Sequence, residues 1–147
     1  MRTATAPQPV ELASRFRLVA MRLSRRLRQQ STGGITPAQL SALATLVRDG
    51  RHTTGDLAAA ERVQPPTITR VVDSLVDAAL VARVADPTDR RVTWVEATPA
   101  GRALVEAVRR ERDAYLAQRL RTLSPGDLAT IDAASTILER LLAEEPR

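Results

Sequence analysis

Residues 54–96 read TGDLAAAERVQPPTITRVVDSLVDAALVARVADPTDRRVTWVE. Their order decides the fold. Thr54 followed by Gly55 to about Glu61 predicts a short helix, capped by the threonine and anchored by Leu57 and Ala58. Val63-Gln64-Pro65-Pro66 is a turn. A residue before proline is pushed out of the α region, so Gln64 and Pro65 are expected outside a helix and Pro66 at the first position of the next. At about 100° per residue, Ile68, Val71, Val72, Leu75, Val76 and Ala79 then share one side of a helix ending near Ala78. Pro66, Thr67, Thr69, Arg70, Asp73, Ser74 and Asp77 share the other. The helix is half-buried, with a small, polar, hydrogen-bonding outer face. Leu80 to Val84 and Val92 to Glu96, rich in β-branched residues, flank the turn cluster Ala85-Asp86-Pro87-Thr88-Asp89-Arg90-Arg91, which predicts a β-hairpin with a charged tip.

Outward from this stretch the pattern is helical. Thr36-Pro37-Ala38-Gln39 is a helix start in which threonine caps, proline takes the first position and Gln39 closes a capping box. Leu40, Leu43, Leu46 and Val47 form its apolar face, and Asp49-Gly50 ends it. Upstream, Leu12, Phe16, Val19, Leu23 and Leu27 make one apolar stripe on a first helix stopped by Gly33-Gly34. Residues 1–9 are a polar tail. Downstream, Thr98-Pro99 starts a long helix to about Arg121, with Leu104, Val105, Val108, Tyr115, Leu116 and Leu120 as candidate buried positions. Ser124-Pro125-Gly126-Asp127 starts the last, with Leu128, Ile131, Ala134, Leu138 and Leu141 inward. The expectation is a single mainly α domain over 1–147 with a small β-hairpin wing. Terminal helices (10–32 and 99–145) enclose a helix-turn-helix lobe over 35–98.

Composition narrows the function. The chain of 147 residues holds no cysteine and one histidine, His52, so thiolate metal sites, disulfides and thiol redox sensing are excluded and no cofactor is expected. Aromatic residues are 2% (Phe16, Trp94, Tyr115), so the core must be built from Leu, Val, Ala and Ile. No apolar run approaches the roughly 18 residues of a membrane span, and Met1 to Val10 has no apolar signal core. The chain reads as cytoplasmic. Net charge is +5, and all 22 basic residues are arginine. Residues 1–35 carry seven Arg against Glu11, residues 36–98 seven against eight acids, and residues 99–147 eight of each. The excess positive charge therefore sits on the first helix, so any nucleic-acid reading has to rest on individual residues.

Three short helices followed by a hairpin is the order of a winged helix-turn-helix. A helix with an apolar back and polar front can enter the major groove, where base edges offer a distinct donor and acceptor code. Thr67, Thr69, Arg70 and Ser74 are the expected readers, with Gln64 and Pro66 at the helix start. Thr36 and Thr54, at the starts of the bracing helices, are placed to meet phosphates. An arginine at the hairpin tip can reach the adjacent minor groove, and Asp89, two residues before Arg91, can hold it in position.

The stretch Asp86-Pro87-Thr88-Asp89-Arg90-Arg91, followed by Val92 to Ala97 and Thr98-Pro99-Ala100-Gly101, resembles the wing signature of the MarR family of bacterial regulators. Pro66 to Leu75 resembles that family's recognition helix, and Ile35 to Leu40 its second-helix start. The likeness runs from about residue 10 to 143. It implies a homodimer in which the first and last two helices intertwine, reading a pseudo-palindromic duplex. It also implies that Arg91 is the minor-groove arginine with Asp89 its partner, that Thr88 and Arg90 lie at the tip with Arg90 toward phosphate, and that Asp73 makes a structural ion pair. Ala97 stands where the family often has leucine.

The resemblance further implies a repressor released by a small aromatic acid or phenol bound between the dimerisation helices and the lobe, with Arg15, Arg22, His52 and Tyr115 as candidate contacts. Against these expectations stand a metal-responsive repressor, which lacks ligands here, and an enzyme, for which no nucleophile–base pair, phosphate-binding glycine loop or carboxylate–histidine cluster is present. The alternative that survives is an α-helical dimeric adaptor or ligand-binding protein that has lost DNA binding.

Overall fold

The structure, a computed structural model, describes residues 8–143. The expected tail up to Pro7, and the expected last helix beyond Ala143, lie outside the described residues. The elements are α1 (Pro9–Gln30), α2 (Pro37–Asp49), β1 (His52–Thr53), α3 (Thr54–Glu61), α4 (Pro65–Asp77), β2 (Val81–Ala85), β3 (Thr93–Ala97), α5 (Pro99–Leu120) and α6 (Pro125–Ala143). The fold is mainly α with a small three-stranded antiparallel sheet in the order β1-β3-β2. Two compact units divide it, one ending at Arg112 and the other beginning at Asp113.

The first unit is built around one core. Leu40, Ala42, Leu43 and Leu46 of α2 meet Leu57 and Ala58 of α3, Ile68, Val72 and Leu75 of α4, Val81, Val95 and Ala97 of the sheet, and Val105 and Val108 of α5. Each fully buried Leu, Ile or Val contributes about 1.5–3 kcal/mol. α2 starts with the expected capping box: the Gln39 N–H donates to Thr36 Oγ1 at 3.2 Å and the Thr36 N–H to Gln39 Oε1 at 2.8 Å. Glu61, the last residue of α3, ties that helix to α2 by accepting from Ser41 Oγ and from the buried Thr45 Oγ1, both at 2.6 Å.

Several local expectations are corrected. The cap of α3 is Thr53, not Thr54: Thr53 has extended backbone and accepts from the Asp56 N–H at 3.1 Å while its hydroxyl donates to Asp56 Oδ2 at 2.7 Å. The spacing Thr53-x-x-Asp56 is the signal that distinguishes the two threonines. α4 starts at Pro65 rather than Pro66. Only Gln64 takes the extended conformation that proline demands of its predecessor, because both prolines fit a first turn whose N–H groups have no intrahelical partner. Ala79, expected on the apolar side of α4, is exposed, with a φ of 58°. There it reverses the chain: the Ala79 N–H reaches Val76 O at 2.9 Å and the Leu80 N–H reaches Leu75 O at 2.9 Å. The two-residue β1, pairing His52 with Val95 and Thr53 with Trp94, is an addition that so short a strand did not announce.

The terminal helices keep their apolar positions out of the single-chain core. No residue of α1 or α6 is buried. Leu12, Phe16, Val19 and Leu23 on α1, and Leu128, Ile131 and Leu141 on α6, are all exposed in the single chain. The second α5 segment, with Tyr115, Leu116 and Leu120, is half-buried.

Candidate nucleic-acid interface

The hairpin tip is a closed set of hydrogen bonds. β2 and β3 pair in register from Val81↔Ala97 to Ala85↔Thr93. Beyond Ala85 the Asp86 N–H donates to Val92 O at 2.9 Å and the Val92 N–H to Asp89 O at 2.9 Å. Asp86 Oδ1 then accepts from the Thr88 N–H (2.8 Å), the Thr88 hydroxyl (2.6 Å) and the Asp89 N–H (2.9 Å), and Asp86 Oδ2 from the Trp94 indole N–H (2.8 Å). Local capping of this kind is what aspartate does in turns. Asp89 in turn accepts from the Arg91 backbone N–H (3.0 Å) and from Arg91 Nε and Nη2 (3.1 Å each).

The expected Asp89–Arg91 pair is therefore present, and the Arg91 side chain is 90% exposed. So exposed an ion pair adds little to stability. It does restrict the rotamers of a long side chain and leaves its guanidinium facing solvent. Arg90 is exposed beside it and, like Arg70, has no hydrogen-bond or ion-pair partner among the described residues. The Thr88 hydroxyl proton is committed to Asp86 and so is not free to donate outward.

These contacts fix the ionisation of the tip. Asp86 is held below the ordinary carboxylate range, first by the Thr88 hydroxyl and then by the Trp94 indole and two backbone N–H groups. Asp89 is lowered by the Arg91 side chain and backbone, and Arg91 is raised by Asp89. A carboxylate whose pKa is depressed keeps its contribution above the ordinary value near ~4 and loses it as pH falls through the depressed one. DNA affinity is thus expected to stay flat, as far as the wing is concerned, from about pH 8 down to about pH 5. Anisotropy titrations across that range check this, and wing-dependent loss above about pH 5 would contradict it.

On α4, Thr67, Thr69, Arg70 and Ser74 are exposed on the face opposite Ile68, Val72 and Leu75. The Thr69 hydroxyl donates to Pro65 O at 2.8 Å, leaving its lone pairs and methyl group for a base. Gln64 caps no helix N–H with its side chain, and Pro66 is exposed. Asp73, the acid that would repel phosphate, is ion-paired to Arg83 of β2 at 2.6 Å, the structural role expected of it. Thr36 Oγ1 is occupied by its capping box, and Thr54 is half-buried at the first position of α3. Asp86, Trp94 and Arg51 join the site through contacts made in the fold. Arg51 lies with its guanidinium carbon 4.6 Å from the centroid of the Trp94 ring. The Asp-Pro-Thr-Asp run was the signal for Asp86, since aspartate opens such turns. Nothing local marks Arg51 or Trp94.

Residues 35–93 match the MarR family. An HTH-type transcriptional regulator of Mycobacterium tuberculosis is 42% identical over 136 residues, which cover 92% of this chain and 95% of that one. The chain belongs to the MarR family. It is accordingly a transcriptional regulator and not an enzyme. The HTH-type transcriptional repressor MdtR of Bacillus subtilis is 34% identical over 95 residues, 65% of this chain and 61% of its own. Among solved structures, a MarR family protein from Bacillus stearothermophilus superposes with a TM-score of 0.75 at 29% identity, covering 92% of this chain and 95% of the other.

Of the four residues expected at an effector site, three belong to the first unit and Tyr115 to the second. Arg15 and Arg22 are exposed on α1, and the surface groove that Arg22 lines is formed by α1 alone. His52 Nδ1 lies 2.9 Å from Gly50 O on β1. Tyr115 belongs to the second unit, with Arg119 5.2 Å from its ring centroid. A cleft of about 200 Å³ lies elsewhere in the first unit, lined by Arg28, Thr32, Pro37, Leu40, Ser41, Ala44 and Arg112. Arg112 donates to Ser31 O from Nε (3.2 Å) and Nη2 (2.7 Å). No helix among the described residues is long and apolar enough to cross a membrane.

Proposed function

We propose that the protein is a cytoplasmic homodimer that binds a pseudo-palindromic duplex and represses transcription until a small aromatic acid releases it. The observation that carries the DNA reading is the wing: an exposed guanidinium oriented by a carboxylate, on the same lobe as a helix whose outer face holds Thr67, Arg70 and Ser74. α4 enters the major groove, with Arg70 forking onto a guanine or a phosphate and Thr67, Thr69 and Ser74 reading neighbouring edges. Arg91 enters the minor groove, where the negative potential favours a cation, and Arg90 meets phosphate. Gln64 and Pro66 border the groove, and Thr36, Thr54 and Thr88 lie along the backbone.

The effector reading rests on the cleft between Arg28 and Arg112. Its wall of Pro37, Leu40 and Ala44 suits a single aromatic ring, and its arginines suit a carboxylate. Arg112 already holds the carbonyl of Ser31, in the segment joining α1 to α2, so a carboxylate competing for it would disturb that joint. Arg15, Arg22, His52 and Tyr115 then become secondary candidates.

The test is anisotropy binding to a duplex selected from genomic fragments, at two salt concentrations. Wild type should bind tightly and lose affinity steeply with salt, because neutralised phosphates release counterions. Arg91→Ala should weaken binding by about 1–3 kcal/mol while leaving the melting temperature unchanged. A variant that binds as tightly as wild type would remove the wing from the interface, and no selective binding by wild type would favour the adaptor reading.

A further inference from the structure

Trp94 is the one tryptophan of the chain, and it occupies an unusual position. It sits on β3, the central strand, between β1 and β2, and is followed by the fully buried Val95. Its indole N–H reaches out of the sheet to Asp86 Oδ2 at 2.8 Å. The other oxygen of that carboxylate holds the Thr88 and Asp89 N–H groups, and the Asp89 carboxylate holds Arg91. The ring face carries Arg51 at 4.6 Å, from the residue next to β1. An unbroken chain of contacts thus runs from the packed sheet to the exposed guanidinium of Arg91.

We propose that Trp94 and Asp86 are positioning residues for Arg91, the indole N–H transmitting the rigidity of the central strand to the tip of the wing. The reading rests on Arg91 being the wing's DNA contact, as proposed above. No residue from Asp86 to Val92 is buried, so packing alone does not hold the tip, and a mobile arginine loses rotamer freedom when it enters a groove. The indole bridge reduces that loss before DNA arrives. Arg51 lies over the ring, 4.6 Å from its centroid, and with the bridge to Asp86 holds the indole in one orientation, because a cation over an indole face is attracted to it.

The experiment is a double-mutant cycle on DNA affinity, using the full-length protein and the selected duplex. Trp94→Phe keeps an aromatic ring on the strand but removes the N–H and part of the indole's area, so melting of the variant is read beside its affinity. The substitution should weaken binding about threefold to tenfold, the scale of one net hydrogen bond. The same change in the R91A background should cost nothing, because the group it positions is gone. Asp86→Asn leaves one oxygen to cap the turn and turns an NH2 toward the indole, so it should repeat the Trp94→Phe loss, and the two together should lose no more than either alone. Circular dichroism and melting of each variant establish that the fold is intact, and D86N serves if W94F does not fold. Equal losses from Trp94→Phe in both backgrounds would overturn the proposal, since Trp94 would then act on DNA or on the fold directly. No loss from Trp94→Phe while Arg91→Ala weakens binding would overturn it too. An Arg91→Ala variant that binds like wild type would instead overturn the wing reading beneath it.

Discussion

Deleting residues 124–147 should yield a monomer or an insoluble chain, and should lower affinity for a two-half-site duplex by about 10²- to 10⁴-fold. The reasoning starts from α6 itself. It has no buried residue in the single chain, yet Leu128, Ile131, Ile137, Leu141 and Leu142 are exposed along it. α1 repeats the pattern with Val10, Leu12, Phe16, Leu18, Val19, Met21 and Leu23. Soluble monomers rarely leave so many large apolar side chains uncovered along a helix. A second copy covers it most economically, because a two-fold interface buries every such side chain twice, at about 1.5–3 kcal/mol for each that becomes fully buried. The first unit keeps its own core without α6, so a truncated chain that stays in solution is expected to retain the helix-turn-helix and to bind one half-site of the proposed duplex. What it loses is the intramolecular second binding event. Sedimentation velocity and anisotropy check both halves of the prediction, and a truncated chain that stays dimeric and binds fully would contradict the interface.

Much of this was legible in the sequence, for identifiable reasons. The apolar stripe of α4 and the β-branched flanks of the hairpin follow from period 3.6 and period 2. The box Thr36-Pro37-x-Gln39 and the pair Asp89-x-Arg91 are local chemistry within four residues, and both appear with the expected hydrogen bonds. What escaped was non-local or contrary to preference. The chain turns after α3 and α4 use left-handed Arg62 (φ 55°) and Ala79 (φ 58°), where glycine would have been the cue. β1 is too short to show a period, and it exists because the edge of β3 accepts it. Trp94 meets Asp86 across eight residues and Arg51 across the sheet, so neither contact is written in any local run. The apolar positions of α1 and α6 were recognised, but whether they face a core or another chain is a property of the assembly and not of the periodicity.

Substituting Gly101 by alanine should destabilise the fold by about 2–3 kcal/mol even though alanine is the better helix former. Gly101 is the third residue of α5, and its N–H donates to the Thr98 hydroxyl at 3.1 Å. A Cβ there would collide with the backbone oxygen of Leu80 and come within 3.0 Å of Leu43 Cδ1. Neither neighbour yields easily. Leu80 O accepts the Thr98 N–H at 3.0 Å, the Thr98 hydroxyl donates to Ala79 O at 2.8 Å, and Leu43 is fully buried. The gain of up to ~1 kcal/mol from helix propensity is therefore outweighed by the collision. Tm should fall by roughly 5–10 °C. Ala79, on the other side of the same joint, should respond with the opposite sign. Its φ of 58° strains any Cβ, so Ala79→Gly should raise stability by about 0.5–1 kcal/mol. Thermal and urea melts of the two variants test the joint between α4 and α5. A Gly101→Ala protein as stable as wild type would mean that α5 can shift along this contact, and the close approach of Leu80 O would then not fix the position of the wing relative to α5.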